Sequence, residues 1–183
     1  DVVCVDKNPD IVDKLNKGIP TIHEDGLSEI LKNVVEANSF QATENLKEAL
    51  DEVNLVIVAV GTPSKNGKID LSFIKEVSSQ IGKYLATSDR FISVVIKSTV
   101  IPGTTDSVVL NILEESSGKK LGDFGLGMNP EFLREGAAID DFLYPDRIVL
   151  GHEDEKTLSL ISQLYEPWNV EKILVNSRTA ELI

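Results

Sequence analysis

The sequence predicts an α/β fold, a doubly wound parallel sheet with helices on both faces. Three observations lead there. Short apolar runs of strand length alternate with longer amphipathic stretches along the whole chain. The run Leu55-Val56-Ile57-Val58-Ala59-Val60 is continuously apolar, as expected of a strand covered on both faces. Between Leu71 and Leu85, Ile74, Val77, Ile81 and Leu85 fall on one helical face, ready to cover such a sheet.

Taken in order, Val2 to Val5 is a strand ending at Asp6, and Asn8-Pro9 starts a helix that runs through Asn16 and is closed by Gly18. A helix from Leu27 to Ala37, a strand from Phe40 to Thr43 and a short helix from Asn45 to Asp51 follow. The buried strand over Asn54 to Val60 leads into a polar, Gly-containing loop, Gly61 to Asp70, expected to be the most flexible element. After the helix at Leu71 to Leu85 come a strand at Phe91 to Ile96, a helix at Thr105 to Glu115 and a strand at Phe124 to Met128. The remainder reads as strand Arg147 to Leu150, helix Glu155 to Tyr165, strand Lys172 to Val175 and helix from Arg178. Strand–helix alternation of this kind builds βαβ units.

Composition narrows the functional classes. Thirty acidic residues against eighteen basic ones give a net charge of −12, which argues against non-specific nucleic-acid binding. An anionic ligand would have to be held by local devices, such as backbone N–H groups at helix N-termini. A single cysteine excludes an internal disulfide framework and fits a reducing compartment. No apolar run approaches the ~20 residues of a membrane span, so the expectation is a cytoplasmic protein without a membrane partner.

The densest chemistry lies in Asn129-Pro130-Glu131-Phe132-Leu133-Arg134-Glu135-Gly136, directly after the strand that ends at Met128. Asn129 reads as an N-cap and Pro130 as a first helical residue, which would place Glu131 and Glu135 on one face of a helical turn. Such a pair is either the floor of a polar active site or an exposed turn whose acids offset the helix dipole. Arg134 either lines that site or pairs with Asp140 or Asp141. Cys4, inside an apolar strand, behaves as a small hydrophobe. His23 and His152 lack metal-ligand spacing, and Trp168 reads as packing beside Tyr165.

Four ordered motifs carry a resemblance that runs the length of the chain: Val5-Asp6, Val60-Gly61-Thr62-Pro63, Lys97-Ser98-Thr99-Val100-Ile101-Pro102-Gly103-Thr104, and Asn129 to Gly136 followed by Ala138-Ile139-Asp140-Asp141 and Pro145-Asp146-Arg147. Together they resemble the nucleotide-sugar dehydrogenase family, in its Rossmann-like NAD-binding domain. The resemblance implies NAD as cofactor and oxidation of the C6 alcohol of a nucleotide sugar to a carboxylate by two successive hydride transfers. UDP-glucose is the implied substrate, since Gly136 follows Glu135 where mannose-type relatives more often carry Ser. GDP-mannose and UDP-N-acetyl-hexosamines are the alternatives.

The resemblance also distributes roles. Asp6 binds the adenosine ribose and repels a 2′-phosphate. Thr62 contacts the cofactor, and Thr99 contacts it beside the reacting carbon while ordering a hydrolytic water. Glu131 is the acid–base residue that activates this water, with its carboxyl expected to be buried in a cleft and its pKa raised by desolvation. Glu135 touches the nicotinamide side, and Glu131, Phe132, Leu133, Arg134 and Glu135 line the sugar site. The family's usual Lys or Arg five residues after the ribose acid is Ile11 here, which removes one expected phosphate or ribose contact.

The same resemblance places the first strand, its Gly-rich turn and its helix upstream of residue 1. It places the nucleophilic Cys, a central dimerisation helix and a sugar-nucleotide domain downstream, so the 183 residues are expected to be an N-terminal dinucleotide-binding portion, inactive alone, of a homodimeric enzyme. Without the first strand, two neighbouring strand edges are expected to lack ladder partners. Two other classes stay open at this point: a non-catalytic Rossmann-like binding module, and a related β-hydroxyacid dehydrogenase.

Overall fold

A computed structural model of the chain describes residues 1–183. It divides into two units, Asp1–Glu52 with Phe132–Pro145, and Val53–Glu131 with Asp146–Ile183.

In the first unit, β1 (Val2–Val5) pairs in parallel with β2 (Phe40–Thr43), Val2 opposite Phe40 and Val5 opposite Thr43. The connection holds α1 (Pro9–Asn16) and α2 (Leu27–Glu36). Asn8 caps α1 as expected, its side chain accepting the Asp10 N–H. At the other end of α1, Asn16 exchanges two hydrogen bonds with the backbone of Ala42, at 2.9 and 2.7 Å, so a helix side chain satisfies β2 groups that a further strand would otherwise bind. The short α3 (Leu46–Leu50) buries Ala49 and Leu50, and α6 (Ala138–Leu143) completes the unit.

The second unit is built on a five-stranded sheet in the order β3-β6-β7-β8-β9, namely Leu55–Val58, Ser93–Ile96, Gly125–Met128, Ile148–His152 and Lys172–Val175. Four residues of β6 and four of β7 are fully covered. Packed around the sheet are α4 (Ser72–Leu85), α5 (Leu110–Ser117), α7 (Glu155–Leu164) and α8 (Ser177–Leu182). The α4 face works as its spacing predicts: Ile74, Ile81 and Leu85 are wholly buried. Asp154 and Asn176 cap α7 and α8 with side-chain oxygens.

Several expectations are corrected. The sheet is mixed, because β7 and β8 run antiparallel while the other pairs are parallel. A parallel partner needs a crossover of a dozen or more residues, usually a helix laid over the sheet face. The residues between β7 and β8 carry only the six-residue α6, which belongs to the first unit. The strand at β3 is not buried on both faces: it is an edge strand, and Ile57 is 42% exposed. Within their own sheets, β1 is laddered to β2 and β3 to β6. The polar loop contains a small hairpin, β4 (Ser64–Lys65) against β5 (Lys68–Ile69), turned by Asn66 and Gly67 at φ 54° and 73°. Positive φ at both central residues is what a tight type I′ hairpin requires.

Candidate functional site

The carboxyl ends of β3, β6 and β7 bring three of the motifs together within the second unit. Lys97, Ser98 and Thr99 follow β6. The Lys97 N–H donates to the Val58 carbonyl at 2.8 Å, extending the ladder by one step, and the Ser98 hydroxyl donates to the Val60 carbonyl at 2.6 Å. The Thr62 hydroxyl reaches back and donates to the Thr99 carbonyl at 2.7 Å. Two motifs thirty-seven residues apart are thus stitched into one ledge. The Thr99 side chain is exposed on it.

Asn129 follows β7 and is buried. Its N–H donates to the Ile96 carbonyl at 2.8 Å, and its side-chain amide donates to the Val149 carbonyl at 2.9 Å, tying β6, β7 and β8. Its side-chain oxygen accepts from Lys97 Nζ at 3.2 Å and from the Tyr165 hydroxyl. Burial pushes the Lys97 ammonium below its ordinary value, and the Glu131 carboxylate acts in the opposite direction. Burial pushes the Tyr165 phenol up. Tyr165 also packs edge-on against Trp168, ring centres 5.7 Å apart, the packing expected for that tryptophan.

The helical turn expected from Asn129 and Pro130 does not form. Residues 129–134 are irregular, and the next helix is α6 at Ala138. Asn129 spends its side chain on three neighbouring elements instead of on a helix N-terminus, so Glu131 and Glu135 do not share a helical face. Both are exposed, and the buried setting expected for Glu131 is absent.

Residues Phe132 to Glu135 fall in the first unit, where they are ordered by charge. The Arg134 guanidinium clasps Asp141 at 2.6 and 3.0 Å, and the Arg134 N–H donates to the same carboxylate at 2.8 Å. This choice between Asp140 and Asp141 holds the Asp141 carboxyl at about 2. Glu24 accepts the N–H groups of Gly136 and Ala138 at 2.8 and 3.1 Å, a role no local pattern signals. Gly136 sits at φ 81°, where a side chain is strained. Phe132 and Glu135 are exposed and Leu133 half-buried.

Asp6 ends β1 as expected, half-buried, and one of its oxygens accepts the Asn8 N–H at 2.8 Å. A carboxylate at the carboxyl end of a parallel strand can accept hydrogen bonds from the hydroxyls of a ribose, so Asp6 fits that part of NAD. Cys4 is half-buried rather than core. Burial and then the Asp6 carboxylate push its thiol up, the opposite of an activated nucleophile. The helix after β6 begins with a π-helical stretch, Thr104–Val109. Threonine capping does not account for its start: the Thr104 hydroxyl donates to Ile101, while the N–H groups of Gly103 and Thr105 go to the Glu181 carboxylate.

No helix is long and apolar enough to cross a membrane. The description of the NAD binding domain of the UDP-glucose/GDP-mannose dehydrogenase family matches residues 1–169. The GDP-mannose 6-dehydrogenase of Azotobacter vinelandii is 40% identical over 185 residues, covering 100% of this chain and 42% of the relative. The UDP-glucose 6-dehydrogenase AglM of Haloferax volcanii is 43% identical over 169 residues, covering 91% of this chain and 39% of the relative. Among solved structures, a ternary complex of GDP-mannose dehydrogenase from Pseudomonas aeruginosa superimposes with a TM-score of 0.97 at 37% identity, over 99% of this chain and 42% of that one. The UDP-glucose dehydrogenase of Pyrobaculum islandicum gives 0.93 at 38% identity, over the same shares. The chain therefore spans about two fifths of the length of these relatives. NAD is the cofactor of the matched domain. The chain belongs to the UDP-glucose/GDP-mannose dehydrogenase family, through its NAD-binding domain.

Proposed function

We propose that these residues form the cofactor half of an NAD-dependent nucleotide-sugar 6-dehydrogenase that oxidises UDP-glucose to UDP-glucuronate in the cytoplasm. The observation that carries this reading is the Thr62 hydroxyl on the Thr99 carbonyl, because it joins two separate strand-end motifs in the place where open α/β sheets take their ligands. NAD, when bound, supplies the hydride acceptor. Asp6 accepts the ribose hydroxyls and disfavours a 2′-phosphate. Thr62 and Glu135 contact the cofactor. The Thr99 hydroxyl orders a water, and the Glu131 carboxylate takes a proton from it for the hydrolytic step. Phe132, Leu133 and Arg134 form one wall of the sugar site.

UDP-glucose is the first reading because Gly136 follows Glu135, where the resemblance implies that mannose-type relatives more often carry Ser. GDP-mannose is the second reading, supported by the relatives named for that substrate. The half-buried Cys4, with its thiol pushed up, is unsuited to the covalent step. Residues 1–183 alone are accordingly expected to lack turnover, and the full-length protein to work as a homodimer.

Calorimetric titration of the full-length protein with NAD and NADP, followed by turnover assays with UDP-glucose, GDP-mannose and a UDP-N-acetyl-hexosamine, tests the reading. NAD binding with rejection of NADP and turnover of UDP-glucose supports it. Binding of neither dinucleotide reduces the chain to a non-catalytic module. Turnover of GDP-mannose alone transfers the assignment to the second substrate.

A further inference from the structure

Residues 129–134 leave β7 without regular structure, so neither a ladder nor a helix holds the stretch that carries Phe132, Leu133 and Arg134. Two sets of side-chain contacts act on it instead. The clasp of Arg134 on Asp141 folds the stretch onto α6. Both partners belong to the same short piece of chain, so this clasp fixes its shape and not its place. The place is set by Glu24. One oxygen of its carboxylate accepts the Gly136 N–H at 2.8 Å and the other accepts the Ala138 N–H at 3.1 Å, more than a hundred residues away in sequence. Hydrogen bonds to an ionised acceptor are stronger than neutral ones. They fall where the chain turns into α6, with Gly136 at φ 81°. Glu24 is suited to be the fixed point. It is half-buried in the turn that enters α2, where its carbonyl accepts the Leu27 N–H at 3.2 Å and Gly26 takes φ 83°. α2 buries Leu31 and packs on β2, β2 pairs with β1, and β1 ends at Asp6. The path from Asp6 to Gly136 thus runs through regular structure and closes through one carboxylate.

We infer that Glu24 is a positioning residue for nucleotide-sugar binding: its carboxylate, held at the start of α2, sets the place of residues 132–136 against the strand pair that ends in Asp6. This rests on the reading of Phe132, Leu133 and Arg134 as one wall of the sugar site. An irregular wall without an anchor has to be ordered by the sugar, and the cost of that ordering is subtracted from binding. A carboxylate that only tied down a surface turn would lower the denaturation midpoint and leave the sugar KM of the folded enzyme unchanged.

The test uses the full-length protein with NAD and the nucleotide sugar it turns over. Glu24→Ala is expected to raise the sugar KM about tenfold, with kcat at saturating sugar changed by less than about threefold, because bound sugar restores the wall. NAD affinity is expected to fall by less than about threefold, since Asp6 keeps its place and only Glu135 moves. Amide exchange at Gly136 and Ala138 in the free protein is expected to quicken. An unchanged sugar KM in folded Glu24→Ala overturns the proposal, whatever the exchange shows. Equal losses for NAD and sugar also overturn it, as a general loosening. If Glu24→Ala does not fold, Glu24→Gln decides, because it keeps one acceptor oxygen of the two: a sugar KM raised about threefold or more supports the role, and an unchanged one overturns it. Exchange in the unmodified protein separates the two levels. A sugar that does not slow exchange across residues 132–138 removes the wall reading itself, whereas protection there beside an unaffected sugar KM in the Glu24 variants removes only the role of Glu24.

Discussion

The carboxylate of Glu181 accepts the backbone N–H of Gly103 at 2.5 Å and that of Thr105 at 2.7 Å, closing the helix that leads away from Thr99. Beside it Arg178 clasps Asp106 at 2.8 and 3.0 Å, lowering the Asp106 carboxyl and raising the guanidinium. Two side chains of α8 thus hold the first turn of a helix more than seventy residues earlier. Glu181→Ala leaves two N–H groups at a partly buried helix start without their acceptor. A loss of about 1–2 kcal/mol is expected in denaturant unfolding, with a smaller loss for Glu181→Gln.

The pairing of Arg134 with Asp141 makes a pH prediction. Asp141 titrates at about 2 in the folded chain, against an ordinary value of 3.8. A depressed carboxyl contributes stability above its unfolded value and loses that contribution as pH falls through the folded one. The window therefore runs from about 4 down to about 2. Carboxyl titration by NMR should find Asp141 at about 2, and Arg134→Met should return it to the ordinary range. An unshifted Asp141 contradicts the pairing.

Gly125 is required for packing. A Cβ there would lie 2.0 Å from the Thr157 hydroxyl and 2.6 Å from that of Ser93, two groups that hydrogen-bond each other at 2.9 Å in the core. Gly125→Ala forces β7 and α7 apart and is expected to cost about 3 kcal/mol. A denaturation midpoint equal to that of the unmodified chain contradicts the close approach.

Thr62→Val removes the hydroxyl that fixes the Thr99 carbonyl and keeps the side-chain volume. NAD affinity in the full-length protein is expected to fall about tenfold, corresponding to one hydrogen bond of about 1.4 kcal/mol. Unchanged affinity in calorimetry contradicts a cofactor role for this ledge.

Much of this was legible locally. Asn8, Asn45, Asp154 and Asn176 each sit in front of a helix and each accepts a backbone N–H from it, as their residue types announce. The α4 face was written in its spacing. The direction of β8 was not, because periodicity carries no information about which way a strand runs. Asn129-Pro130 was misleading for a physical reason: it has the residue types of a helix start, but the asparagine gains more partners by bridging β6, β7 and β8. The exposure of Glu131 and the partnership of Lys97 with Asn129 are equally non-local. The acceptor roles of Glu24 and Glu181 are not legible in the sequence because the groups they hold lie more than a hundred and more than seventy residues away. The one hint available was that each is an acid on a chain whose helix starts need acceptors.

The ledge at Thr99 and the acid at Glu131 are proposed to serve the oxidation of a nucleotide sugar by NAD. The most direct test of that proposal is NAD reduction by the full-length protein supplied with UDP-glucose, measured beside the Glu131→Gln variant. Two NAD reduced per sugar, with a loss of at least about a hundredfold on Glu131→Gln, is the result predicted. No reduction with any nucleotide sugar, or turnover indifferent to Glu131→Gln, contradicts it.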